Sequence, residues 1–218
     1  MDVSTLRDDL VTAMLAHAAF DGWSKAAMAA AADDLGLDPS VPARVFPGGP
    51  AEAVAHFVAL ADRLMAEDLA ALTLGRGVGE KVFQAVKLRL GRWEAHREAI
   101  RRAASVLALP GNLALATRLT WGTADAIWHA IGDTAHDFSW YTKRATLSAV
   151  YSATLFYWLD DDSEGQAASW AFLRRRLDDV RRLPQLRQKL AGMLKGGGLG
   201  GLARGLKPPA RRWGLPTR

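Results

Sequence analysis

Imidazole and carboxylate side chains crowd one short stretch of the sequence: Asp125, His129, Asp133, His136 and Asp137. Such donors can hold Zn²⁺ or a non-haem iron. The spacing, however, is neither HExxH nor the ExxH of carboxylate-bridged metal sites. Asp125 and His129 stand one helical turn apart on a stripe that also contains Arg118, which reads as a polar stripe pairing with itself or with a neighbouring helix. Asp133, His136 and Asp137 fall in the connection that follows, where aspartate commonly caps. The pattern favours a structural role; a metal hydrolase built on Asp125, His129 and Asp133 is the reading that stoichiometric metal would reveal. Glu52 and His56 form a second, ordinary i, i+4 pair. Gly75 to Lys81 (GRGVGEK) has the glycines of a phosphate loop, but no strand precedes it and the GxxxxGKS/T spacing is missing, so it reads as an interhelical loop. With no GxSxG elbow and no cysteine, nucleophilic chemistry has no carrier. The expectation is a protein that is not an enzyme and needs no cofactor or metal.

The elements that would position any site are helical. Apolar residues recur at i, i+3 and i+4, and no alternating Val/Ile/Thr run is long enough for a sheet. The spacing predicts an all-α chain. A first helix runs over about 5–20 and ends at Gly22; a second runs from a Ser24 cap to Leu35 and stops at Gly36. Pro39, Pro42, Pro47 and Pro50 leave room for one short turn before a long helix from Ala51 to about Leu74. Further helices are expected over Val78–Leu90, Trp93–Leu107, Asn112–Ile131 and Phe138–Leu159. Ser163 and Gln166 have capping-box spacing and open a helix to about Leu183, which Pro184 separates from a last amphipathic one. The expected organisation is a helix-turn-helix region at 1–50, a helical ligand domain at 51–182, an amphipathic helix at 183–195 and a low-complexity basic tail at 196–218.

Charge separates these parts. Residues 1–50 carry seven acids against three bases, whereas residues 171–218 carry thirteen bases against two acids. An anionic surface would therefore be met at the C-terminal end. There Leu183, Leu186, Leu190, Met193 and Leu194 follow helical spacing, with Arg182, Arg187, Lys189 and Lys195 around them. Such a helix suits an anionic membrane surface or closes a bundle with a solvated basic side. The expected membrane-binding residues are Leu186, Arg187, Lys189, Leu190 and Met193. The longest uncharged stretches, 103–117 and 145–159, are 15 residues each, short of the roughly 20 that span a bilayer. The opening MDVSTLRDDL has no basic, apolar or Arg-rich leader pattern, so the expected location is cytoplasmic.

Two short helices, a turn and a long helix look like a helix-turn-helix ahead of an all-α ligand domain, a layout that resembles the tetracycline-repressor superfamily. The segment where a recognition helix would lie, DPSVPARVFPGGP, offers only Arg44 among its prolines, in acidic surroundings. Phosphate contact is disfavoured there, and no nucleic-acid partner is expected. An apolar ligand pocket is expected where the long helix after Pro50, the Asn112 helix and the Phe138 helix converge, lined by Phe57, Leu60, Leu64, Phe83, Ile127, Ile131, Leu147 and Val150.

Residues 124–159, with DxIWHxxGD, then DFSWYTKR and a small-residue aromatic helix, closely resemble the signature of the accessory lipid-binding proteins of ubiquinone (coenzyme Q) biosynthesis. Gly22-Trp23, the Phe46-Pro47-Gly48-Gly49 turn and Trp170 to Leu177 (WAFLRRRL) resemble that family too. The resemblance implies a tetracycline-repressor-like fold without DNA binding. It further implies a non-catalytic homodimer that binds isoprenoid quinone intermediates or phospholipids in an apolar pocket, docks on the membrane by a terminal helix and presents its ligand to the di-iron demethoxyubiquinone hydroxylase. It places the partner-binding patch at Asp137, Trp140, Tyr141 and Arg144. Helical periodicity instead puts Trp140 on the core face with Leu147, Tyr151, Thr154 and Trp158. The expected function is that of such a lipid-binding accessory protein, peripheral to the cytoplasmic face of a bacterial inner membrane. The alternative is a tetracycline-repressor-type regulator with a small-molecule pocket.

Overall fold

In the computed structural model the backbone is described over residues 2–73, 75, 77–133 and 138–196, and side chains over the same residues except 138, 139 and 183–196. Among the described residues every regular element is helical: α1 (Val3–Asp21), α2 (Lys25–Asp34), α3 (Val41–Val45), α4 (Pro50–Ala70), α5 (Val78–Gly91), α6 (Arg97–Leu107), α7 (Leu113–Ala130), α8 (Phe138–Leu159) and α9 (Ala167–Gly196). The chain divides into two compact units, Met1–Leu177 and Asp178–Arg218, with the later part of α9 in the second.

Local signals account for most boundaries. The Ser24 side chain accepts the Ala27 amide and caps α2. Gly22 and Gly36, where α1 and α2 were expected to stop, both adopt positive φ, a conformation glycine reaches without steric cost. α3 fits between Pro39 and Pro47 as one short turn, with Pro42 near its start. Phe46 behind it is buried, with the Arg7 guanidinium 4.7 Å from its ring centroid. The Gly48 amide donates to Glu52 at 2.7 Å, which ties the turn to the first turn of α4.

In the first unit α1 packs on α2, α4 and α6, α4 packs on α5 and α7, and α7 packs on α8. Trp23, just before α2, donates its indole N–H to the Ala99 carbonyl of α6 at 2.8 Å and lies 5.6 Å from Phe57 of α4. One buried indole thus joins the start of α2 to α4 and α6. Arg97 and Arg101 of α6 donate to the Leu159 carbonyl and so place positive charge at the C-terminus of α8.

Three expectations need correction. Trp93 does not open the helix expected over 93–107. It is buried at a corner, with φ −107° and ψ 19°, ahead of a 3-10 turn at Glu94–His96, and α6 starts only at Arg97. α9 does not break at Pro184 but continues to Gly196. A proline costs a helix one amide bond and a ring clash, which the helix-forming Arg, Leu, Gln and Lys around it absorb. Finally, Ser163 and Gln166 form no reciprocal capping box. Gly165 and Gln166 both take positive φ, and the Gln166 amide goes to Glu94 instead.

Two side chains cap α9: the Ser163 hydroxyl oxygen accepts the Ala168 amide at 3.0 Å, and Asp161 accepts that of Ser169. The Asp161 Oδ1 accepts from the Ser163 amide (2.9 Å) and hydroxyl (2.6 Å), and its Oδ2 from the Ser169 amide (2.7 Å) and hydroxyl (2.5 Å). Burial works against the charged form, yet the bonds from Ser163 and Ser169 win and hold the carboxyl at about 2. A depressed folded-state value stabilises above the unfolded value, and that contribution fades as pH falls. Asp161→Ala should therefore cost about 1–2 kcal/mol at neutral pH. The gap in melting temperature from the parent protein should close as pH drops from about 4 towards 2, the interval between the ordinary aspartate value and the depressed one. A gap that stays constant over that interval would show that the Asp161 carboxylate does not contribute to capping.

Candidate ligand cavity and partner-facing surface

The buried faces of α4, α5, α7 and α8 carry polar groups where an apolar stripe was expected. Arg89 of α5, in the row of Val82, Val86 and Leu90, is buried. Its Nε donates to Asp62 of α4 at 2.6 Å, an Nη donates to the Tyr151 hydroxyl of α8, and the other Nη lies 3.5 Å from the Val58 carbonyl and 3.4 Å from Thr123 of α7. Thr123 donates in turn to Asp62 at 3.1 Å. Burial opposes the guanidinium charge, but Asp62 and Tyr151 more than offset it and raise Arg89 above its ordinary value. Burial likewise raises the Tyr151 phenol, with Arg89 opposing, so both groups keep their protons at neutral pH.

This cluster borders a cavity of about 80 Å³. Phe57, Leu90, Trp93 and Tyr151 on its inner side are buried, whereas Leu107, Leu119 and Leu155 are half-buried. Phe57 and Trp93 meet edge to face at 5.0 Å. The volume is about half of the ~150 Å³ that accommodates benzene.

Of the residues expected to line a pocket, Phe57 lies on this cavity. Leu60, Phe83, Ile127, Leu147 and Val150 are buried, and Leu64 and Ile131 half-buried, but these seven do not border it. The cavity lies towards α6, one helix face away from the expected convergence. An Arg89 on an apolar stripe was the sequence signal for it.

The carboxylate and histidine cluster separates into ion pairs. Asp125 accepts from Arg144 at 2.5 Å; Asp133 accepts from Lys143 at 2.7 Å and lies 3.7 Å from Arg144. His129 is exposed, and no metal-holding group of three such residues occurs among the described residues. Glu52 pairs with Arg7, and His56 with Asp8, so both reach α1 rather than each other. His136 and Asp137 lie outside the described residues.

Trp140 is half-buried rather than part of the core, although Leu147, Tyr151, Thr154 and Trp158 are buried. Its ring packs 5.8 Å from Trp121 and 4.8 Å from Tyr141, which is 62% exposed. Arg144, expected among the partner-facing residues, is buried beneath them, with its guanidinium 4.0 Å from the Trp140 centroid. It positions the aromatic pair instead of presenting itself. The side chains of Leu186, Arg187, Lys189, Leu190 and Met193 lie outside the described residues; their backbone is helical.

Helix order and packing define an all-α, tetracycline-repressor-like fold. The TetR transcriptional regulator of Nitrosomonas europaea superposes with a TM-score of 0.64 over 80% of this chain and 97% of the regulator, at 19% identity, a likeness of fold alone. Residues 113–184 match the model of the COQ9 family, and these include the whole segment whose motif carried the resemblance. The chain is 33% identical over 183 residues to the human ubiquinone biosynthesis protein COQ9, mitochondrial, and 31% identical over 197 residues to its Drosophila melanogaster counterpart. These alignments cover 80% and 88% of this chain, which spans 57% and 60% of the lengths of those relatives. The chain is thus a relative of the COQ9 proteins, as its motif indicated.

The Arg89–Asp62 pair yields a stability test. Asp62→Leu leaves a buried guanidinium uncompensated and should cost about 3–5 kcal/mol in denaturant unfolding. Adding Arg89→Met should recover most of that loss. A double variant as unstable as the single one would show that the cluster acts through hydrogen bonds to Thr123 and Tyr151 rather than through the ion pair.

Proposed function

We propose that this chain is a non-catalytic, lipid-binding accessory protein of ubiquinone biosynthesis. In this reading it binds isoprenoid quinone intermediates, or phospholipid, at the apolar cavity and presents them to the di-iron demethoxyubiquinone hydroxylase. The observation that carries the reading is the likeness to proteins named for ubiquinone biosynthesis, which spans the helices that build the cavity. Two features support it. The cavity is walled mainly by apolar side chains, and at the start of α8 the exposed Tyr141 against the half-buried Trp140 has the character of an interface anchor. The repressor-type alternative draws support from fold alone, and α3, five residues long with Arg44 as its single base, is a poor groove reader.

The protein works as a homodimer at the cytoplasmic side of an inner membrane. Ala145, Ala149, Ala153 and Phe156 form an exposed stripe along α8 that suits the dimer contact. Among the described residues no helix is long and apolar enough to cross a membrane, so attachment falls to the basic end of the chain. Native mass spectrometry of the purified protein with extracted lipids tests the reading directly. Retention of an isoprenoid quinone or its precursor is the expected result, and a lipid-free protein under conditions that preserve such complexes would argue against it.

Two further outcomes are expected. Tyr141→Ala should weaken hydroxylase binding by about 2 kcal/mol with little change in melting temperature, because the side chain is exposed. Trp140→Ala should do so with some loss of stability, since Trp121 and Arg144 pack on that ring. Unchanged binding by both variants would remove the patch from the interface. In liposome flotation, Leu186→Ser with Leu190→Ser should reduce binding at any ionic strength. Replacing Arg187 and Lys189 should matter for anionic lipid at low salt, at roughly 1 kcal/mol per charge. Flotation retained while stability falls would make this helix part of a core.

A further inference from the structure

Residues 103–117 carry no charge, yet much of the run lies at the surface. It spans the end of α6, a 3-10 turn at Pro110–Asn112 and the start of α7. Leu109 is 56% exposed and Leu113 55%, and Ala108, Pro110, Gly111 and Ala114 beside them are exposed as well. The polar side chains of the run are turned back on its backbone. Ser105 donates to the Arg101 carbonyl at 3.1 Å, Asn112 to the Val106 carbonyl at 2.8 Å and Thr117 to the Leu113 carbonyl at 2.9 Å. The amides of Ala108, Leu109 and Asn112 likewise find Ala104, Val106 and Leu109 carbonyls within the connection. Local satisfaction of this kind lowers the cost of moving a segment from water to the boundary between headgroups and acyl chains.

Charge and residue type say what such an edge meets. Residues 97–118 hold four arginines, Arg97, Arg101, Arg102 and Arg118, against one acid, Glu98. Arg101 and Arg102 pair with Glu98. Arg118, one helical turn beyond the exposed Ala114, is itself exposed and makes no ion pair among the described residues. Exposed leucines bounded on both sides by arginine gain from the acyl boundary and from anionic headgroups together. A protein partner fits less well, since the run has no aromatic residue and leucine is under-represented among interface anchors. Other exposed apolar side chains lack the basic setting: Phe20 precedes Asp21, and Leu35 follows Asp33 and Asp34.

We propose that the connection between α6 and α7 dips into an anionic lipid surface, with Leu109 and Leu113 at the acyl boundary and Arg118 among the headgroups. This is a second lipid contact, made by the first compact unit, and it goes beyond the attachment assigned above to the basic end of the chain. It is independent of the cavity and of what the cavity holds.

The chain has no cysteine, so Leu113→Cys carries a polarity-sensitive nitrobenzoxadiazole label at one known place. The purified full chain is mixed with phosphatidylcholine vesicles, with or without phosphatidylglycerol, that contain a phosphatidylcholine spin-labelled near the top of its acyl chain. On vesicles with phosphatidylglycerol the label at position 113 should shift to the blue and be quenched, whereas the same label on Asp33→Cys in α2 should do neither. Adding Leu186→Ser and Leu190→Ser should lower the bound fraction and leave the quenching per bound molecule unchanged. Without a label, Leu109→Ser with Leu113→Ser should weaken vesicle binding about tenfold at any ionic strength. Arg118→Gln should weaken it about fivefold, for anionic vesicles at low salt alone. Melting temperatures should not change, because all three side chains are exposed. An unquenched label on vesicle-bound protein overturns the contact and leaves attachment by the basic end standing. Equal quenching at positions 113 and 33 overturns it too, as adsorption without orientation. A blue shift that grows with protein concentration in the absence of lipid assigns the edge to a second copy of the chain and overturns the lipid contact. Failure of the parent protein to bind either vesicle overturns both attachments together.

Discussion

The ion pair of Arg89 with Asp62 is the constraint around which α4, α5, α7 and α8 are arranged. A guanidinium and a carboxylate taken out of water must meet each other and satisfy their remaining bonds, or the fold loses several kcal/mol. Here Asp62 comes from α4, Arg89 from α5, Thr123 from α7 and Tyr151 from α8, and all are linked by hydrogen bonds. Four helices are thereby fixed in register by polar geometry that hydrophobic packing, being non-directional, does not supply. The cavity is a consequence. Side chains held to satisfy Arg89 cannot also relax to fill the space towards α6.

A second polar arrangement governs the start of α8. Asp125 and Asp133 hold Arg144 and Lys143, and Arg144 supports the face of Trp140. Carboxylates that looked like metal ligands in the sequence are counter-charges for buried or half-buried cations. The Arg144 guanidinium so held lies under the Trp140 ring, against which the exposed Tyr141 packs edge to face. Trp140 is half-buried and Tyr141 exposed, so the periodicity that put Trp140 in the core with Leu147 and Tyr151 holds only for those deeper residues.

The two arrangements lie on the same helix. α8 contributes Arg144 to the surface cluster and, two helical turns on, Tyr151 to the cavity. A displacement of α8 would alter both the hydroxyl on the inner side of the cavity and the aromatic surface at its beginning.

Much of this protein was legible in the sequence alone. Helical periodicity specified the all-α class and placed α8 at both ends, because apolar spacing and turn residues act locally. Ser24 and Gly36 marked the limits of α2 for the same reason. The motif of residues 124–159 carried the relationship to the COQ9 proteins without any geometry. Only the tertiary structure decided the rest. Periodicity assigns a residue to a face but not to a neighbour, so Leu60, Ile127 and Leu147 were expected around a pocket and became core, while Trp93 and Tyr151 border the cavity. The partners of Arg89, Asp161 and Arg144 depend on which helices meet and at what height, and long-range hydrogen bonds leave no periodic trace in a chain. Polar residues on apolar stripes, Asp62 and Arg89 above all, were the one sign of them, and only packing could say what that sign meant.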